Sequence, residues 1–192
     1  MDFRTVDVAA LRWTKTPRGA AVSGPGGKVV VQTPLLPCSV RPMRSTYAQG
    51  WSIDLRLPPG DELGASFGAF VQAVMQSAAA WGGVSAPEAA APLSEFMGTR
   101  SLRVTAFSDA LLFDKNGELV QEPAGAKACT CLLELQGCWT SAARWGLRWR
   151  VAQVKLADAP RPGPAPQFGF LADAGVAVPP AGPTPQFGFL DD

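Results

Sequence analysis

Alternation and helical spacing divide this chain into a body of many short strands and one helix. Phe3-Arg4-Thr5-Val6-Asp7-Val8 alternates apolar with polar positions and predicts an opening strand. Ala20-Ala21-Val22-Ser23 and Lys28-Val29-Val30-Val31-Gln32-Thr33 flank Gly24-Pro25-Gly26-Gly27. That order predicts a hairpin around a glycine turn, stopped by Pro34 and Pro37. In the next extended piece Trp51, Ile53, Leu55 and Leu57 fall on one face and Ser52, Asp54 and Arg56 on the other, before Pro58-Pro59.

The period then changes. Leu63, Phe67, Phe70, Val71, Val74, Ala78 and Trp81 recur at spacings of three and four, with Asp61 placed to cap the start and Gly82-Gly83 to end the helix. Ala86 to Phe96 carries a weaker helical pattern broken by Pro87 and Pro92, and is read as a short second helix. Strands resume at Leu102–Phe107 and Leu111–Phe113, where Asp114-Lys115-Asn116-Gly117 turns into Glu118-Leu119-Val120. The longest pair follows, Ala128 to Thr140 and Arg144 to Leu156. Short strands, glycine turns and one principal helix predict a mainly β fold, a small closed or partly open barrel capped by that helix.

The pattern stops near residue 157. Residues 158–192 are rich in Pro, Gly and Ala, a composition of extended, flexible backbone, and they repeat themselves. Gly163-Pro164-Ala165-Pro166-Gln167-Phe168-Gly169-Phe170-Leu171 returns as Gly182-Pro183-Thr184-Pro185-Gln186-Phe187-Gly188-Phe189-Leu190, followed by Asp191-Asp192. A linker has no need of such apolar anchors. Phe168, Phe170 and Leu171, with Phe187, Phe189, Leu190, Asp191 and Asp192, therefore read as a duplicated docking peptide, its inner copy packed on the body and its outer copy reaching a partner. The organisation expected is a β-barrel over residues 1–157 and a tail over 158–192.

Composition narrows the chemistry. With 47% apolar and 17% charged residues in 192, the chain can bury one sizeable core. No apolar run approaches the ~20 residues of a membrane span, and Met1-Asp2-Phe3-Arg4 has no signal-peptide character, so an intracellular protein without a membrane partner is expected. Residues 1–155 hold 16 Lys/Arg against 12 Asp/Glu, a balance of +4, whereas 156–192 hold 1 against 4, a balance of −3. A basic body beside an acidic tail suits a polyanion-binding domain whose tail competes for the same face. There is no histidine, which removes Ser-His-Asp and Cys-His catalysis. Cys38, Cys129, Cys131 and Cys138 form no Cys-x-x-Cys pair and read as buried thiols. Asp109 and Asp114, or Asp61 and Glu62, are the available acid pairs, yet Asp114 reads as a turn residue and Asp61 as a helix cap. Neither an enzyme nor a cofactor is expected.

The last strand pair is the richest segment. Alternation puts Trp145, Leu147, Trp149 and Val151 on one face and Arg144, Arg148 and Arg150 on the other, with Trp139 and Trp145 near the connecting turn as base-stacking candidates. Arginines interleaved with aromatics suit a single-strand binder, which needs cations for phosphates and π-faces for bases. The same residues also fit the solvated side of an edge strand.

Val30-Val31-Gln32-Thr33-Pro34, Gly137-Cys138-Trp139, Trp145 through Lys155 and the terminal Phe189-Leu190-Asp191-Asp192 together resemble a set of proteins of large eukaryotic DNA viruses. Those are similar to the single-stranded DNA-binding proteins of short-tailed bacteriophages. The resemblance runs through most of residues 3–156 in order of elements. It implies an OB-like barrel that coats single-stranded DNA during replication, in the nucleus or at a viral replication site. It also implies a tail that shields the empty cleft and recruits replication proteins. It points to Lys28, Gln32, Arg148, Arg150 and Lys155 as backbone contacts and to Trp139 and Trp145 as stacking residues, and Arg144 joins these nucleic-acid-binding candidates from the arginine stripe alone. The tail departs from the phage pattern in being only mildly acidic, in ending on Leu-Asp-Asp rather than an aromatic, and in its duplication. The other function that fits is a β-rich interaction or structural module working through the tail peptide. Homo-oligomerisation is left open.

Overall fold

A computed structural model describes residues 1–43, 49–83, 88–123 and 126–157; the tail and its repeat lie outside the described residues. Among the described residues eleven strands form one sheet: β1 (Arg12–Thr16), β2 (Gly19–Ser23), β3 (Val29–Gln32), β4 (Leu36–Pro42), β5 (Gly50–Leu57), β6 (Glu88–Ala89), β7 (Ser94–Phe96), β8 (Thr99–Phe107), β9 (Leu111–Phe113), β10 (Ala128–Thr140) and β11 (Arg144–Ala157). The helix α1 spans Glu62–Trp81. Strand β4 pairs β5, β5 pairs β8, β8 touches β11, β11 pairs β10, and β10 returns to β4. These five strands close a ring, the arrangement of an OB-like barrel.

The ring is uneven. Eight residue pairs join β5 to β8, but β8 meets β11 in parallel at the single pair Arg150↔Thr105. Beyond that pair the two strands diverge, and β6 attaches to the start of β11 through Arg144↔Glu88 and Trp145↔Ala89.

Helix α1 starts where the Asp61 carboxylate accepts from the Leu63 N–H at 3.1 Å and ends at Gly82, whose φ of +66° is readily adopted without a side chain. Its apolar stripe faces the ring interior. Phe67, Val71 and Val74 are fully buried with Leu55, Leu133 and Val151, and Phe67 meets Phe3 edge-on at 5.3 Å. The helix is not long and apolar enough to cross a membrane. All four cysteines are free and buried, as their apolar setting predicts. Burial pushes the Cys138 thiol up to about 11, against the opposing charge of Arg148, so it is a thiol at neutral pH.

Three sequence expectations give way to other structure. Residues 3–8 form 3-10 turns at Phe3–Thr5 and Val8–Ala10 instead of a strand. The Asp2 carboxylate accepts from the Arg4 N–H at 2.9 Å and Asp7 from the Ala9 N–H at 3.0 Å, local bonds that compete with a sheet ladder. The glycine turn closes, with Gly24 and Gly27 exchanging backbone bonds of 2.8 and 3.1 Å. Its flanking strands pair with β10, not with each other, at Gly137–Trp139 for β2 and Leu132–Leu135 for β3. The described part of Ala86–Phe96 holds two short strands instead of a helix, because Glu88–Ala89 finds β11 and Ser94–Phe96 finds β8.

Candidate nucleic-acid interface

Two bulges decide which side chains of the β10–β11 hairpin face outward. On β10, Leu135 pairs Trp149 and Gly137 pairs Arg148, so Gln136 is an extra residue. Before it the odd-numbered Cys129, Cys131, Leu133 and Leu135 enter the core; after it Cys138 does, and Trp139 turns outward. On β11, Leu132 pairs Gln153 and Leu133 pairs Val151, leaving Ala152 extra. Trp145, Trp149 and Val151 are inward before that point, Val154 and Leu156 after it.

The tryptophans are thereby separated. Trp145 is 6% exposed and packs with Ala20, Met75, Ala78 and Cys138, so it is core and not a stacking surface. Trp139 is half-buried and lies across its partner Gly146, where a Cβ would come within 2.9 Å of the indole ring. Only glycine leaves room for that ring.

The outer face of the ring is lined with arginines from four strands. Pairing sets Arg41 beside Ser52, Ser52 beside Thr105 and Thr105 beside Arg150 in one row across β4, β5, β8 and β11. Arg56 and Arg103 lie on the same face, and Arg148 precedes Arg150 by one outward position. The carboxylate of Asp54, which is buried, accepts from both Arg41 and Arg103. Burial raises the Asp54 pKa, but the bonds from Arg103 and then Arg41 outweigh it and hold the carboxyl below its ordinary value. The two guanidinium groups remain largely open to solvent, with side-chain exposures of 60% and 66%. Arg150 pairs with Asp109 and with Glu134 at 3.5 Å, and Arg144 with Glu88 at 3.2 Å. Arg148 is exposed and has no ion-pair partner among the described residues.

Where β8 and β11 diverge, a cleft of about 260 Å³ opens on this face. Trp139, Gly146 and Trp149 line it from the hairpin, Ser101 and Arg103 from β8, and Ala90–Pro92 cross its rim. The cleft combines an aromatic ring, an adjacent guanidinium and apolar walls. That is the set of groups a nucleotide needs, since the ring takes a base and the cation its phosphate.

The remaining sequence candidates divide. Lys28 is exposed in the glycine loop, on the edge of β10 opposite β11. Gln32 is 7% exposed beneath the N-terminus, where its N–H donates to the Met1 carbonyl at 3.0 Å, and it is withdrawn from any surface contact. Lys155 sits about 17 Å along β11 from Arg150, half-buried beside Phe113 of β9. Desolvation lowers its pKa, partly offset by Asp114. The structure therefore groups Trp139, Arg144, Arg148 and Arg150 and leaves Gln32, Lys155 and Trp145 elsewhere. Phe168, Phe170, Leu171, Phe187, Phe189, Leu190, Asp191 and Asp192 fall outside the described residues. Arg41, Arg56 and Arg103 were not singled out from sequence, although Arg56 could have been found from the strict alternation of Trp51–Leu57.

Comparison with protein-family models and with curated proteins finds no match. Among solved structures, the chain is similar to gp2.5, a single-stranded DNA-binding protein encoded by bacteriophage T7. The TM-score is 0.54 at 12% identity, over 68% of this chain and 86% of that one. It is also similar to a C-terminal truncation of the single-stranded DNA-binding protein of bacteriophage Enc34, with a TM-score of 0.50 at 13% identity over 79% of this chain and 96% of the other. At these identities the likeness is one of fold: the barrel of this chain is similar to that of those phage proteins.

Proposed function

We propose that this protein binds single-stranded DNA without catalysis, as a coating protein of DNA replication. The strand runs across the outer face of β4, β5, β8 and β11, with phosphates on Arg41, Arg103, Arg148 and Arg150 and a base on Trp139. The observation that carries the reading is the in-register row Arg41–Ser52–Thr105–Arg150 across four strands, which sets an arginine at each end of one face beside the Trp139 cleft. The barrel shared with the phage proteins supports it, and so does the resemblance to proteins of large eukaryotic DNA viruses. The duplicated tail peptide acts either by occupying the same face or by holding replication partners.

Titration of the full chain with oligo-dT, read by tryptophan fluorescence at two salt concentrations, tests the reading. Quenching is expected, with an affinity that falls as salt rises by about 0.7 in log–log slope per neutralised phosphate. No quenching, or no dependence on salt, overturns it. Deletion of residues 163–192 tests the tail: tighter DNA binding supports competition for the face, and an unchanged affinity with loss of partner capture supports the docking role.

A further inference from the structure

The hairpin of β7 and β8 ends in two residues whose presence its own folding does not explain. Phe96 and Thr99 pair across a turn formed by Met97 and Gly98, with φ of +49° and +73°. Two successive positive φ values are the geometry of a type I′ turn, which favours Asn, Asp or Gly at its first position. Met97 is the one described non-glycine residue with positive φ, and its Cβ makes that conformation costly. Exposure adds to the cost. Met97 is 87% and Phe96 77% exposed, more than any other large apolar side chain among the described residues. Local conformation and solubility both favour other residues here, and such a conflict is the mark of a working site.

Its position supplies the occupant. Alternation along β7 puts Phe96 on the same face as Ser94, whose hydroxyl bonds that of Ser101 at 2.8 Å. Ser94 and Ser101 both line the Trp139 cleft, and Thr99, Ser101 and Arg103 share the outer face of β8. Phe96 thus stands about 7 Å beyond Ser94 on the rim of the cleft, continuous with the arginine face.

Resting on the DNA-binding reading, we infer that this hairpin is a stacking finger: Phe96 carries a base of the strand that leaves the Trp139 cleft, and Met97 packs against its exposed edge. The finger contributes no charge, so its effect is separable from that of the arginines.

The full-length chain is titrated with oligo-dT and with an abasic strand of equal length, as wild type, Phe96→Ala and Met97→Asn, beside Trp139→Ala and Arg148→Gln. Phe96→Ala is expected to weaken oligo-dT binding at least about fivefold without changing the salt slope, and to leave abasic-strand binding unaltered. Met97→Asn, which gives the turn its preferred Asn-Gly pair, is expected to raise Tm while weakening binding. That opposition of sign is not produced by a purely structural role. Unchanged oligo-dT affinity in both finger variants overturns the inference, as does an altered sedimentation coefficient with unchanged affinity, which assigns the tip to self-association. If Trp139→Ala and Arg148→Gln weaken binding but the finger variants do not, the finger alone fails. If none of the four affects binding, the DNA-binding reading fails with it.

Discussion

Arg148 and Lys155 both point away from the core on strand β11, yet their surroundings differ completely. Arg148 lies in the half of the hairpin where β8 has diverged, so its guanidinium is open and the Trp139 ring stands two positions away on Gly146. Lys155 lies in the half that β9 pairs alongside, opposite Phe113, where burial disfavours its charge. The bulge at Ala152 keeps both residues outward, but one end of the strand is open and the other has β9 paired alongside it. The neighbouring strand, not the residue type, decides whether a cation can reach a phosphate.

The largest effect that should separate core from face is on stability. Leu133→Ala removes a fully buried side chain from β10 and is expected to cost about 2–5 kcal/mol in denaturant unfolding. The affinity of the folded variant for oligo-dT is expected to be unchanged. A large loss of affinity would mean that the two regions are not independent.

Next in size is the stacking residue. Trp139→Ala is expected to weaken binding by about 1–3 kcal/mol, whereas Trp145→Phe, inside the barrel, leaves affinity alone and lowers Tm. Gly146→Ala is a subtler form of the same experiment. Its Cβ would lie 2.9 Å from the Trp139 indole, so the ring must tilt, and the fluorescence quenching on binding is expected to shrink. Full quenching in Gly146→Ala would place the stacked base elsewhere.

Asp54 gives a smaller effect of opposite sign. It occupies Arg41 and Arg103, so Asp54→Asn frees both guanidinium groups and is expected to tighten oligo-dT binding by a few-fold, about 1 kcal/mol or less. Its carboxyl is held below the ordinary value of 3.8, so its contribution to stability is complete above that pH. The contribution is lost as pH falls through the lower, folded-state value. Thermal melts from pH 5 to 2 should show that acid loss in the wild type and a smaller one in Asp54→Asn.

Much of the barrel was legible because local signals and burial agree. The helix from Asp61 to Gly82 has its cap, stripe and stop in the right places, and Ala128–Thr140 with Arg144–Leu156 is nearly the observed hairpin. The opening strand was not legible, since Asp2 and Asp7 bond their own backbone where alternation suggests a sheet. Ala86–Phe96 looks helical by spacing, but its described part gives two short strands, Glu88–Ala89 on the distant start of β11 and Ser94–Phe96 in a local hairpin with β8. The site was half legible. Arg148 and Arg150 follow from alternation, but Trp139 faces outward only because Gln136 is a bulge, and a bulge leaves no pattern in one sequence. Arg103 joins the face by pairing with Asp54, 49 residues away, Arg41 by a nearer pairing with β5, and Gln32 is buried with its backbone N–H on the Met1 carbonyl.

The salt dependence of oligo-dT binding in Arg148→Gln and Lys155→Gln tests the central claim most directly. If the open half of the hairpin is the DNA face, Arg148→Gln lowers the log–log salt slope by about 0.7 and weakens binding, while Lys155→Gln changes neither. Equal slopes in the wild type and Arg148→Gln, or a reduced slope in Lys155→Gln alone, would contradict the account and move the interface to the half that β9 flanks.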